Sequence, residues 1–331
     1  MALYIARRAA MAVSVILVAM IATFVLFFVG PSDPARSMCG DQRCTPERLA
    51  DIRHSMKLDR PVPEQFTEYF KGVFVGREIV NGGFVKECSA PCLGYSFRTD
   101  REVKGEIFSR FPATLSLALG AMVVFLTVGI GTGVYSARRR GSRLDRTVVG
   151  FTQVFGSIPY YILALLFALY LMILHPILPR SMYNPLFTDG PAAWAAGLLA
   201  PWIMLGLATS TGYTRYARAS MVETLSQDYV RTARSKGISE QRVVYRHALR
   251  GALSPVVTIL GLDMAALLSG TLITEQIFEI DGIGRLALQS LNNDDLPIIM
   301  GTVLVAATLV VLLNLVVDIA YSFIDPRVRL S

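Results

Sequence analysis

The chain has 331 residues, of which 53% are hydrophobic and 17% are charged, and its mean hydropathy is +0.48. This balance excludes an ordinary soluble globular protein. The net charge of +7 does not require a nucleic-acid partner, because the arginines gather in short loops beside apolar runs. We therefore expect no nucleic-acid binding.

Six apolar runs each reach the roughly 17 to 25 residues that a membrane-spanning helix needs. Pro159 lies inside the third run and predicts a kink there. The predicted fold class is an all-α polytopic membrane protein with six transmembrane helices. The runs are Ala9–Gly30, Ala113–Tyr135, Val148–Leu174, Ala192–Thr211, Ala252–Ile273 and Pro297–Phe323.

Positive residues in short loops indicate the orientation of the spans. Arginines cluster before the first run, between the second and third, between the fourth and fifth, and at the C-terminus. The short loop between the third and fourth runs carries only Arg180, and the one between the fifth and sixth carries only Arg285. This alternation predicts a multi-pass protein with both termini in the cytoplasm.

Residues 31–110 separate the first run from the second and predict an extracytoplasmic cap. Thr45 with Pro46 predicts a helix start, and Val62 to Phe70 predicts an amphipathic helix. Glycines 72, 76, 82 and 83 predict a turn-rich insertion after it. The predicted organisation is thus 1–30 as N-terminus and first helix, 31–110 as cap, and 111–331 as a five-helix core.

All four cysteines lie in this cap. An even number of cysteines on the oxidising face of a membrane predicts two disulfides. Three pairings are open, of which two local loops are preferred, and a four-thiolate zinc site is the alternative. The cysteines are Cys39, Cys44, Cys88 and Cys92.

Two features inside the spans bear on packing and transport. Asp263 lies near the middle of the fifth run, among small residues, where it would line a polar pathway or bond to a partner subunit. Both alternatives stay open. The segment Gly129–Gly133 contains GxGxG but lacks the strand that a dinucleotide site requires, so it predicts helix packing.

The segment 228–250 is charged, yet apolar residues recur in it at helical spacing. Gly237 interrupts the pattern, and Ser239 is placed to cap a second helix. The pattern predicts two short helices joined by a glycine turn, called the elbow below. A helix lying in the membrane interface is the alternative. The apolar positions are Val230, Ala233, Ile238, Val243, Val244 and Leu249.

The stretch Tyr229–Ile238, followed by Arg246–Arg250, resembles the EAA loop of binding-protein-dependent ABC importer permeases. It is most similar to the dipeptide/oligopeptide/nickel type, "B" subunit. Arg231-Thr232-Ala233 stands where the general motif has Glu-Ala-Ala, and Gly237 keeps its place. The segments Val73–Cys92 and Cys39–Cys44 look like insertions. Further matching stretches are Leu58–Pro61, Leu93–Phe97, Phe111–Leu115, Ser157–Pro159, Gly282–Arg285 and Asp325–Arg327.

This resemblance implies a type I ABC importer permease in a bacterial inner membrane. It implies a second homologous permease, two ABC ATPase subunits and an extracytoplasmic substrate-binding protein as partners, with a peptide or similar small solute as substrate. The chain itself would catalyse no reaction and hold no cofactor or metal, since ATP and Mg would bind to the ATPases. A secondary transporter, for which no inverted repeat is evident, and a membrane scaffold or receptor with a disulfide-bonded cap are the alternatives.

The resemblance and the residue patterns together predict three groups of site residues. Asp263 is assigned to the translocation pathway. Phe278, Gly282 and Gly284 are assigned to an outer gate or docking surface, with a partly buried linker as the alternative. The residues expected to couple the chain to the ATPases are Asp228, Arg231, Ala233, Arg234, Gly237, Arg246 and His247.

Overall fold

A computed structural model describes residues 2–28, 35–36, 44–55, 58–81, 84–269 and 271–324. Within these ranges, five helices are long and apolar enough to cross a membrane, and a sharply bent pair of helices makes a sixth span if it is counted as one. The predicted polytopic helical fold is confirmed. The five helices are Ala6–Phe28, Val103–Arg138, Gly190–Leu225, Glu240–Leu268 and Leu296–Val316.

The elements follow one another in a simple order. Over the described residues, each predicted apolar run coincides with a helix or with consecutive helices, and several helices extend beyond their run. The helices are α1 (Ala2–Phe28), α2 (Pro46–Ser55), α3 (Val62–Val75), α4 (Val103–Arg138), α5 (Arg143–Ser157), α6 (Tyr160–Ala168), α7 (Gly190–Leu225), α8 (Asp228–Ser235), α9 (Glu240–Arg242), α10 (Leu249–Ser269), α11 (Leu272–Ile277), α12 (Ile283–Asn292) and α13 (Leu296–Ile324). The strands are β1 (Arg77–Asn81), β2 (Phe84–Cys88), β3 (Tyr95–Ser96) and β4 (Arg101–Glu102), and π-helical turns occupy Leu169–Leu174 and Val243–Ala248.

The third span breaks at Pro159, as the sequence predicts. Ile158 is extended, with φ −80° and ψ 129°, and α6 begins directly after the proline. The proline ring disfavours a helical conformation for the residue before it and removes a backbone donor. The two helices consequently meet at 93°, a full break rather than a gentle kink.

The first of two compact units comprises Met1–Thr114, Leu268–Leu272 and Asp281–Ser331. Within it α1 packs along α13. Its apolar core joins side chains from both helices to the cap and to the start of α4, among them Phe24, Tyr69, Ile107 and Leu304. The cap therefore shares its hydrophobic core with two of the spans.

The segment after α3 corrects the prediction of a turn-rich insertion. β1 and β2 form an antiparallel hairpin in which Arg77 lies opposite Cys88 and Val80 opposite Val85. The glycines favour turns in a prediction from the sequence. The alternating residues on either side of the Gly82-Gly83 pair nevertheless form the two strands. Those two glycines lie outside the described residues.

The helix start at Thr45 and the cysteines of this region agree more closely with the predictions from the sequence. The Thr45 hydroxyl accepts a hydrogen bond of 3.2 Å from the Arg48 backbone N–H, which confirms the predicted helix cap. Cys88 and Cys92 form a disulfide, and Cys44 is disulfide-bonded as well. Cys39 lies outside the described residues, so the local Cys39–Cys44 pairing stays a prediction. A four-thiolate zinc site is contradicted, because Cys88 and Cys92 are bonded to each other.

Three of the stretches that carry the family resemblance take part in hydrogen bonds between distant segments of the first unit. The Ser96 hydroxyl donates to the buried Asp295 carboxylate at 2.5 Å, and the Ile283 backbone N–H donates to the Thr114 hydroxyl at 2.9 Å. Burial raises the pKa of the Asp295 carboxyl above its ordinary value. These bonds fix the cap to the residue that precedes α13, and the start of α12 to α4.

The second unit comprises Leu115–Leu267 and Ile273–Ile280. In it α4 and α7 approach each other at the glycines of the Gly129–Gly133 segment. A Cβ atom added at Gly133 would lie 2.7 Å from the Thr214 carbonyl oxygen, and one at Gly129 would lie 2.5 Å from the Tyr213 Cβ. The backbones touch where side chains are lacking, which confirms helix packing as the role of this segment.

Replacing Gly133 with leucine is expected to destabilise the second unit by about 1–3 kcal/mol, because the side chain must force α4 and α7 apart. Gly131 provides the matched control, since no atom lies within 4 Å of a Cβ added there. Thermal unfolding of the two detergent-purified variants measures the difference. Equal midpoints for Gly133→Leu and Gly131→Leu would contradict the close approach of the two helices.

Candidate coupling site

The elbow begins immediately after a spanning helix. Residue Leu225 ends α7, and α8 starts at Asp228 after only Ser226 and Gln227. The backbone N–H groups of those two residues bond back to the carbonyl oxygens of Glu223 and Thr224, at 3.1 Å each. This two-residue tether leaves α8 little freedom to move independently of α7.

Gly237 forms the turn between α8 and α9 because it adopts a left-handed conformation, with φ +73°. Its N–H bonds to the Arg234 carbonyl oxygen at 2.9 Å, and the Ile238 N–H reaches the Ala233 carbonyl oxygen at 3.4 Å. These are the two bonds of a Schellman helix end, in which glycine is the preferred residue. The predicted glycine turn is confirmed.

An ion pair closes the turn from outside. The Arg234 guanidinium donates to the two carboxylate oxygens of Glu240 at 2.9 and 3.1 Å. Hydrogen bonding to Glu240 raises the pKa of Arg234 above its ordinary value. Arg234 was predicted to contact a motor subunit. In this chain the two hydrogen bonds of its guanidinium join α8 to α9 and thereby limit the opening of the elbow.

Ser239 occupies the predicted capping position of α9 without acting as the predicted side-chain cap. Its side chain makes no capping hydrogen bond, and its carbonyl oxygen accepts the Val243 N–H at 3.0 Å. The helix then widens into the π-helical turn Val243–Ala248, which no sequence feature had predicted. This wider turn places both Val243 and Val244 in the interior.

The apolar face of the elbow is buried against the ends of α4 and α7. Val230, Val243, Val244 and Ala248 have no exposed surface. They pack in one cluster with four residues of the neighbouring helices: Val134, Ala137, Met221 and Ala252. Because these apolar residues meet the protein's own core, the alternative of a helix lying in the membrane interface is not supported.

The predicted coupling residues divide between the two faces of the elbow. Ala233 is 6% exposed and belongs to the buried cluster, so it supports the elbow from within. Gly237 and the four charged residues lie on the exposed face, and His247 is half-buried. Tyr229 and Tyr245, which the sequence had not singled out as site residues, add exposed aromatic surface. The exposed charged residues are Asp228, Arg231, Arg234 and Arg246.

A buried ion pair that the sequence did not predict lies beside the elbow. Asp145, at the start of α5, is 3% exposed and accepts two hydrogen bonds from Arg218 of α7, at 2.7 and 2.8 Å. The Ser136 hydroxyl at the end of α4 and the Gly141 N–H also donate to this carboxylate. One carboxylate thus joins three helices. We call Asp145, Arg218 and Ser136 the junction.

The signal for the junction was present in the loop composition. Asp145 is the single acid among the five arginines of the loop between the second and third apolar runs. Those arginines were interpreted only as orientation signals, and so was Arg218 in the next positive loop. An acid that departs from the charge of its loop indicates a specific partner, although the sequence does not say which arginine that is.

The other predicted site residues lie elsewhere. The Asp263 carboxylate accepts a hydrogen bond of 2.8 Å from the Tyr213 hydroxyl, within the second unit. Phe278 is 2% exposed and packs edge-on against Phe167, in the same unit. Gly282 precedes α12 and Gly284 lies inside it, both buried. Their pathway and gate roles stay predictions.

The fold and this site define a class: a multi-pass helical membrane protein whose charged elbow packs against the ends of two of its spans. Residues 129–330 match the family described as binding-protein-dependent transport system inner membrane component, and residues 1–118 match the N-terminal component of the same systems. The chain belongs to this family and is an ABC importer permease of the type I fold.

Several relatives are similar over nearly their full length. The chain is 35% identical to the di/tripeptide transport system permease protein DppB of Pseudomonas aeruginosa and 33% identical to the dipeptide transport system permease protein DppB of Escherichia coli, over 98% of each chain. A putative peptide transport system permease protein of Brucella abortus is 37% identical, again over 98% of both chains. Family membership decides against a secondary transporter and against a scaffold or receptor.

Proposed function

We propose that this permease carries peptides across the membrane as one of two transmembrane subunits of an ATP-driven importer. The observation that carries the proposal is the elbow: its apolar face is packed onto the ends of α4 and α7, while its charged face is exposed. A force applied to the exposed face is transmitted to the spans through close-packed side chains, which resist compression. The relatives named for dipeptide and di/tripeptide transport support peptides as the substrate class.

The proposed complex contains a second homologous permease, two ABC ATPases that bind ATP and Mg, and an extracytoplasmic substrate-binding protein. The arginine-rich loops support a cytoplasmic position for the elbow and for both termini. ATP-driven closure of the ATPases would then press on the elbow and convert the spans between two states of access. The chain's own task is mechanical, and bond breaking is left to the ATPases.

Reconstitution of the full complex in lipid vesicles tests this proposal. We expect uptake of a radiolabelled dipeptide that requires ATP and the binding protein, and that stops when this permease is omitted. ATP-independent uptake, or uptake of other solutes while a panel of di-, tri- and oligopeptides is refused, would overturn it.

In the same vesicles, Asp263→Asn examines the proposed pathway role. The carboxylate is half-buried in α10, where an intramembrane acid can meet the ammonium group of a peptide. We expect slower peptide uptake with unchanged ATP hydrolysis. The control Tyr213→Phe removes the bond to Asp263 and keeps the charge. Wild-type uptake of every peptide by Asp263→Asn would remove Asp263 from the pathway.

A further inference from the structure

A second polar site lies in the first unit, in the cap. Arg77 opens β1, and its Nε atom is buried without a hydrogen-bond partner. No ion pair joins Arg77 to a carboxylate in the part of the chain that the structure describes. Glu68 acts on it only through its field, and burial lowers the pKa of the guanidinium. The guanidinium is thus half-buried, and no carboxylate among the described residues contacts it directly.

The hydroxyl of Tyr69 is likewise buried without a hydrogen-bond partner. The residue is 3% exposed, its oxygen has no hydrogen-bond partner, and burial raises its pKa, so the hydroxyl keeps its proton and remains a donor. The Arg77 guanidinium lies 5.9 Å from the centre of the Tyr69 ring. Both side chains line one cavity. Its other walls are Phe28, Leu93, Gly94, Tyr95, Pro297 and Met300.

Glycines on two sides leave space for the arginine. A Cβ atom added at Gly72 of α3 would lie 2.9 Å from the Arg77 Cδ. One added at Gly94 would lie 3.5 Å from Pro297 and 3.9 Å from the Arg77 Nη2. The guanidinium therefore occupies a place that the surrounding backbone accommodates, with its Nε beside Gly72 and its Nη2 beside Gly94 in the cavity lining.

Charge and size together select the occupant. A half-buried cation is stabilised by a negative charge beside it, which a water molecule, supplying hydrogen bonds alone, does not provide. The cavity is small, about 10 Å³, which is the size for one monatomic ion or one water molecule. Two donors, one positive charge and apolar walls are complementary to a small anion.

We propose that this cavity binds one halide ion, chloride in physiological media, between the Arg77 guanidinium and the Tyr69 hydroxyl. The ion holds together α3, β1 and the start of α13, the three elements whose residues surround it. It is thus a structural component of the cap, independent of the transported substrate. Nothing in this proposal depends on the elbow or on peptide transport.

Thermal unfolding of the full detergent-purified chain tests the site, in sodium chloride and in sodium gluconate of equal ionic strength. We expect chloride and bromide to raise the wild-type midpoint by a few degrees, since a ligand that binds only the folded state stabilises it. Tyr69→Phe and Arg77→Gln should weaken or remove that rise. The control Lys71→Gln deletes an exposed charge on α3, the helix that carries Tyr69, and should retain the chloride-dependent rise in the midpoint.

Crystals grown in bromide give a direct reading. An anomalous peak within hydrogen-bond distance of the Arg77 guanidinium and the Tyr69 hydroxyl supports the proposal. A water molecule at that position, or a wild-type midpoint that is the same in chloride and gluconate, overturns it. Because the wild-type comparison needs no variant, the test stands even if Arg77→Gln fails to fold.

Discussion

Gly237→Val is expected to lower ATP-driven peptide uptake by roughly 5- to 30-fold while the protein still inserts into the membrane. The residue holds φ +73°, and a non-glycine residue in that conformation costs about 1–2 kcal/mol. That cost lowers the ratio of the folded to the unfolded turn by the same factor, and we expect uptake to follow this ratio. No atom lies within 4 Å of a Cβ added there, so the cost is one of backbone strain and not of collision.

Asparagine provides the matched control, because it tolerates the left-handed conformation far better than a β-branched residue does. We expect Gly237→Asn to transport at close to the wild-type rate. The measurement is uptake per ATP hydrolysed in vesicles containing the whole complex. If valine and asparagine reduce this ratio equally, the left-handed turn is not what coupling requires, and the exposed surface near Gly237 becomes the better explanation.

Asp145→Ala is expected to destabilise the second unit by about 3–5 kcal/mol, the usual consequence of removing one partner of a buried ion pair. The substitution leaves the Arg218 guanidinium, whose side chain is 27% exposed, without its bidentate partner. It also strands the Ser136 hydroxyl and the Gly141 N–H. Denaturant titration of the purified chain in mixed micelles measures the loss.

The exposed pair of Asp228 with Arg231, 3.6 Å apart, supplies the control for this experiment. The Asp228 side chain is 97% exposed, so Asp228→Ala should change the stability little. The junction lies beside the cluster that supports the elbow, and we therefore expect Asp145→Ala to reduce coupling as well. A stability equal to that of Asp228→Ala would show that the three helices do not depend on the junction.

Much of the fold was accessible from the sequence because the bilayer makes local demands. A spanning helix must hydrogen-bond its own backbone polar groups over a fixed length. Each apolar run can therefore be recognised in the sequence without reference to any other. Pro159 and Gly237 act through their own backbone preferences, and both were predicted where the structure has them. The elbow's apolar positions followed from helical spacing alone.

Partnerships between distant residues were not accessible in this way. The pairing of Asp145 with Arg218, the fork from Arg234 to Glu240 and the π-helical turn at Val243–Ala248 depend on which segments meet. The hairpin in the cap was obscured by its glycines, since composition is averaged over a segment whereas strand pairing depends on register.

The sequence by itself determined the membrane-spanning architecture, the glycine turn and the family, because these rest on hydropathy, backbone conformation and local motifs. Only the tertiary structure decided which charges are surface charges and which are buried partners. Arg218 and Arg77 look alike along the chain, as positive residues among others, yet one is neutralised by Asp145 and the other faces a cavity. The energy of a charge is set by the groups around it in space, and sequence order does not specify them.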